Sequence, residues 1–229
     1  EDNPVLGLAA LPTASRLDVF FDMEGYPAAD DWLDYLFGAV TTDEGKDVFH
    51  DWWAHSDQQE KRAFEEFIDW VYERWHQDPS MHIYHYAPYE TTAAKRLMGK
   101  YGTREDQVDD LLRNNVFVDL YAVVRRGVVV GEPSYSIKNL EHIYMDKREG
   151  GVTDAGASVL VYDAWCESGE SADWQKSDRL KAIRDYNEDD CVSTVLLANW
   201  LRECQEGAGI AWAEKDGGAD EPEPERQER

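Results

Sequence analysis

Phe64, Phe67, Ile68, Val71, Tyr72 and Trp75 return every three or four positions with polar residues between them. The segment 57–77 therefore reads as an amphipathic helix with one buried face, and Asp78-Pro79 closes it. Upstream the pattern is denser in β-branched and aromatic residues. Leu17–Glu24 reads as a strand ended by Gly25 and Pro27, and Trp32–Val40 and Lys46–Trp53 as a hairpin joined through TTDEG. Downstream, a short strand over Met81–His85 precedes helices over 89–101 and 104–113, and Val116–Asp119 forms another short strand. Helical spacing returns over 136–144, 157–168 and 177–203. The first three strands make an antiparallel meander, and the two later ones arrive through helical crossovers, which favour parallel pairing. The predicted fold class is α/β: a mixed sheet of three antiparallel and two parallel strands flanked by helices.

The ends break the pattern. Residues 1–16 carry two prolines and no period, and read as a leader or linker before a domain over 17–204. Residues 205–229 end in EPEPERQER and read as an acidic disordered tail or linker. The chain starts at Glu1, which is expected of a piece of a longer protein. Hydrophobic residues at 42% and aromatics at 12% suffice for a core, so wholesale disorder is excluded. No apolar run approaches the roughly 18 residues of a membrane span, and the start is no secretory signal. Cys166, Cys191 and Cys204 show no CxxC spacing. They fit neither a disulfide framework nor a zinc ribbon, and a reducing cytoplasm suits them. His50 and His55, five apart, miss the usual helical zinc spacing and read as structural.

Charge narrows the function classes. The net charge is −25, and residues 205–229 hold only eight acids against three bases, so the acidity belongs to the body. Such a surface excludes electrostatic wrapping of nucleic acid. It leaves room for a nuclease whose acids hold metal ions, because bound ions invert the local field.

Three acidic motifs stand in order. Asp22 and Glu24 lie two apart on the first strand, hence on one face with Asp18 and Phe20, at the strand's carboxyl end. Glu90 follows in His85-Tyr86-Ala87-Pro88-Tyr89-Glu90, where a strand gives way to the first turn of a helix. Tyr186 and Asp190 sit four apart in Asp185-Tyr186-Asn187-Glu188-Asp189-Asp190. Ile183, Thr194, Leu197 and Leu201 extend that face, so Asp190 occupies a buried stripe where an apolar residue is usual. Asp189 is rotated by about 100° and reads as a solvated acid.

The ordered set Asp22-x-Glu24, HYAPYE and YNEDD resembles the tyrosine subtype of the DEDD (DnaQ-like) 3′–5′ exonucleases. With Ser134-Tyr135-Ser136-Ile137-Lys138 and Tyr186–Cys191, it is most similar to the YprB-type ribonuclease H-like domain, over about residues 17–203. Such domains occur in RecB-like predicted nucleases, some fused to helicases. Glu90 departs from the aspartate usual at that position, and Asp119 is a competing acid that could instead cap the next helix.

The resemblance implies phosphodiester hydrolysis by two ions, Mg²⁺ or Mn²⁺, about 3.5–4 Å apart, on single-stranded DNA or RNA. It gives Asp22 to both ions, Glu24 and Asp190 to the first, Glu90 to the second, and Tyr186 to orienting the attacking water. Lys138 is the first choice for a phosphate contact, with Lys95, Arg96, Arg125 and Arg126 behind it. Tyr86 and Tyr89 are candidates to stack on an unpaired base. The alternative is a catalytically weak or inactive nucleic-acid-binding module of a larger nuclease or helicase.

Overall fold

The computed structural model describes residues 5–27, 32–43, 45–146, 148, 152 and 154–213. Among them, one five-stranded sheet runs in the order β3-β2-β1-β4-β5. Its strands are β1 (Val19–Pro27), β2 (Trp32–Asp43), β3 (Lys46–Trp53), β4 (Ile83–His85) and β5 (Phe117–Asp119). The first three pair antiparallel, and β4 and β5 join parallel to β1. The mixed α/β sheet expected from the hydrophobic pattern is the one observed.

Alternation on β1 divides the core into two layers. Val19, Phe21 and Met23 face α1 (Asp57–Gln77), α2 (Tyr89–Tyr101) and α3 (Glu105–Arg113), packing on Phe64, Phe67, Ile68 and Leu97. Phe20 faces the other way, toward α4 (Leu120–Gly127), α5 (Ile137–Tyr144) and α7 (Asp178–Gly207). Beside them α6 (Ala155–Ser168) brings Tyr162 onto Tyr35 of β2, rings stacked 3.8 Å apart. The helix starts carry their own caps. Ser56, Asp119, Ser136, Asp154 and Ser177 each accept a backbone N–H of the turn they open, satisfying donors the helix leaves unpaired.

The chain ends pack more closely than their sequence suggests. Leu8 and Leu11, in the segment expected to be a leader, are buried against α4 and α7. The helix α7 continues to Gly207, past the expected boundary at 204, because Gln205 is held inside. Its Nε2 donates to the carbonyls of Leu8 and Leu11 at 2.6 and 2.9 Å. Trp212 then meets His82 edge-on, and Ala213 N donates to Ala9 O at 2.8 Å. Residues 214–229 of the expected tail lie outside the described residues. No described helix is long and apolar enough to cross a membrane.

Candidate active site

β1 runs on to Pro27, past its last parallel pair with β4 at Phe20, so Asp22 and Glu24 lie within the strand and not at its carboxyl end as expected, and there they meet the middle of α7. Asp22, Glu24 and Asp190 bring carboxylate oxygens within 4.8 Å of one another, Asp22 being the most open of the three. Register explains how α7 comes so close. Asp22 pairs with Gly38 across β1 and β2, and a Cβ at Gly38 would strike the Asn187 side-chain oxygen. That glycine lets Asn187 lie flat on the sheet and donate Nδ2 to Asp22 Oδ2 at 2.7 Å. A β-bulge between Glu24 and Gly25 shifts the register beside the site, and pairing then continues to Pro27. Glu24 accepts from Ser158 Oγ at 2.8 Å, and Ser158 is itself held by Tyr35 Oη at 2.6 Å.

These groups raise one another's cost of ionisation. Burial, then the charges of Asp190, Glu24 and Glu90, push the Asp22 carboxyl well above the usual range. Burial and the Asp190 charge hold Glu24 up at about 8, against the lowering effect of Ser158. The Tyr186 hydroxyl is likewise held far above its ordinary value by burial and the surrounding acids, so it keeps its proton. Two cations answer the acids from the α5 side. Lys138 Nζ pairs with Asp190 and lies 4.7 Å from the centre of the Tyr186 ring. Arg148 Nη1 sits 2.6 Å from Asp190 Oδ1.

Glu90 is buried nearby and outside that trio. Its Oε2 is 3.2 Å from His85 Nδ1, which also lies 2.7 Å from Ala87 O. Burial raises the Glu90 carboxyl, and His85 partly offsets it. Burial lowers His85 in turn, but the Glu90 bond and the Asp119 charge more than offset this and leave it raised. The turn between β4 and α2 places Ala87 at φ 71°, a left-handed conformation costly for a residue with a Cβ. Asp119 Oδ1 pins it by accepting from Ala87 N and Tyr121 N, both at 2.9 Å, so Asp119 caps α4 and supports the Glu90 turn at once.

The other candidates lie farther out. Tyr89 donates to Asp34 Oδ1 at 2.7 Å, and Tyr86 donates to Tyr135 O with its ring against Tyr121. Arg96 is committed to the buried Asp34, while Lys95, Arg125 and Arg126 are exposed. His50 meets Thr41 at 3.0 Å and His55 meets Tyr162 at 3.0 Å. Sequence reasoning missed Asn187, Ser158, Glu141 and Arg148. Asn187 stood inside YNEDD and marks the buried stripe four before Cys191, but its bond to Asp22 and the space Gly38 leaves for it are purely tertiary.

The trio fits a divalent cation. Its donors are hard carboxylate oxygens, and the buried acids gain too few hydrogen bonds to offset their mutual repulsion. A mixed sheet that gathers acids on its first strand, under one long helix, defines an α/β protein with a candidate metal centre. The chain belongs to the RNase H superfamily, whose family model matches residues 19–202. None of the curated proteins and none of the solved structures compared with it matches.

Proposed function

We propose that the chain is a metal-dependent nuclease of the DEDD tyrosine subtype that removes nucleotides from the 3′ end of single-stranded DNA or RNA. The observation that carries the reading is the convergence of Asp22, Glu24 and Asp190 within 4.8 Å, one helical turn from Tyr186. These three would hold one Mg²⁺ or Mn²⁺, and Asp22 with Glu90 a second. When bound, such ions activate water and neutralise charge on the reacting phosphate.

The chain's own groups supply the rest. Tyr186 keeps its proton, so it orients the attacking water by hydrogen bonding and does not deprotonate it. Lys138 stands over the Tyr186 ring, within reach of a phosphate at the trio. Asp119 holds the turn that aims Glu90. Tyr89, with its hydroxyl tied to Asp34, offers a ring at the start of α2 for an unpaired base, while Tyr86 serves packing. We place the domain in the cytoplasm, as part of a RecB-like nuclease or helicase.

The test is cleavage of 5′-labelled single-stranded DNA and RNA with Mg²⁺, Mn²⁺ or EDTA, beside Asp22→Ala. A metal-dependent ladder shortening from the 3′ end, absent in the variant, is expected. A folded wild type that matches the variant with no cleavage overturns the catalytic reading and favours a binding module.

A further inference from the structure

We infer that Arg148 is a second cation for the substrate's phosphate, positioned by Glu141, and that it neutralises Asp190 until a metal ion takes that carboxylate. The inference rests on the proposed nuclease reading and adds a residue that the sequence motifs do not contain.

Arg148 divides its guanidinium between two acids. Nε donates to Glu141 Oε2 at 3.1 Å, and Nη2 donates to Glu141 Oε1. Nη1 reaches Asp190 Oδ1 at 2.6 Å, yet it is buried and the contact is not aligned as a hydrogen bond. The tether is therefore made through Glu141, and the group facing the trio is a charged donor without a geometric acceptor. Glu141 is itself fixed. It is 9% exposed on α5, and its Oε1 accepts from Ser193 Oγ of α7 at 3.1 Å. Ser193 also meets Tyr144 Oη at 3.1 Å. A buried carboxylate on α5, tied to α7 through Ser193 and gripped along one edge of a guanidinium, is a mount for that guanidinium.

A divalent ion on Asp190 would repel Nη1 at close range while leaving the Glu141 grip intact. The freed donor would then stand beside the trio, where a non-bridging oxygen of a phosphodiester is the complementary partner. Lys138 pairs with the same Asp190 oxygen, but through a flexible stem and without an aligned fork. The two roles of Arg148 have opposite signs: it competes with the metal and attracts the nucleic acid.

The experiment measures two affinities for wild type, Arg148→Ala, Arg148→Lys and the double variant Arg148→Ala/Glu141→Gln. Mn²⁺ binding without nucleic acid is read from the spin-resonance signal of the free ion. Binding of short single-stranded oligothymidylate and oligouridylate is read in Ca²⁺. Arg148→Ala is expected to bind Mn²⁺ about tenfold more tightly and the preferred oligonucleotide about tenfold more weakly, with Arg148→Lys between it and wild type. The double variant leaves no unpaired charge at position 141 and should show the same opposed shifts if the single variant folds poorly. Both affinities unchanged, or both weakened together as for a structural residue, overturns the inference. A wild type that binds neither Mn²⁺ nor either oligonucleotide removes the nuclease reading and the inference with it.

Discussion

Glu24 shows at the scale of one residue what the site costs. Its folded carboxyl is held up at about 8 by burial and the Asp190 charge, far above an unfolded glutamate. A raised acid withdraws stability as pH climbs from the unfolded value to the folded one, because the folded state holds the proton more tightly. Glu24→Gln keeps an acceptor for Ser158 and removes that term. In EDTA at pH 8 the variant should be more stable than wild type by about 4 kcal/mol, with the difference vanishing near pH 4. It should also lose the rise in melting temperature that Mn²⁺ gives the wild type. Chemical denaturation at the two pH values checks this, and a variant less stable in EDTA contradicts the cost assigned to Glu24. The acid itself was legible in the sequence, as was the oddity of Asp190 on an apolar stripe. Gly38 was not, since its meaning lies in the Asn187 side chain that crosses it from a helix far along the chain.

At the scale of elements, the residues just before β1 and β4 are a second pair of buried titrating groups, away from the acidic trio. Asp18 accepts from His82 N at 2.9 Å, from Ser15 N at 3.0 Å and from Arg202 at 3.3 Å, yet burial still lifts its carboxyl to about 6. Burial, with Arg202, takes the His82 ring down to about 4. The signs oppose. Acidification through about 6 towards 4 adds stability through Asp18, whose folded state binds the proton better. Over the same window it removes stability through His82, whose folded state refuses one. Asp18→Asn deletes the first contribution only. Its deficit against wild type should therefore widen by about 2 kcal/mol between pH 6.5 and 4, measured by urea unfolding. A constant deficit would mean that Asp18 titrates as an ordinary aspartate. The elements themselves were mostly readable. The period of Phe64, Phe67, Ile68 and Val71 gave α1, and strand-forming runs gave the meander. The helix α4 was foreseen only through its cap Asp119, because eight residues ending in Val-Val-Arg-Arg-Gly carry too little period. Leu8 and Leu11 were passed over for the same reason: one leucine in a short 3-10 turn and one just after it make no pattern, and only α4 and α7 give them a place.

At the scale of the whole molecule, a net charge of −25 surrounds a site for which we propose a polyanionic substrate. Most nucleic-acid binders lose affinity with salt, because their lysines and arginines release condensed counterions. Here the described cations at the site are Lys138 and Arg148, both engaged by acids, and the long-range field opposes approach. Screening that field should help the substrate more than the loss of a few local contacts hurts it. The Debye length shrinks from about 30 Å at 0.01 M to about 8 Å at 0.15 M, a distance shorter than the molecule but longer than the contacts inside the site. At fixed saturating Mg²⁺, KM for a single-stranded oligonucleotide should therefore fall as monovalent salt rises over that range, while kcat stays level. A KM that climbs steeply with salt would mean that a basic surface, not metal ions, recruits the substrate. That outcome would direct attention to the exposed Arg125 and Arg126 at the end of α4.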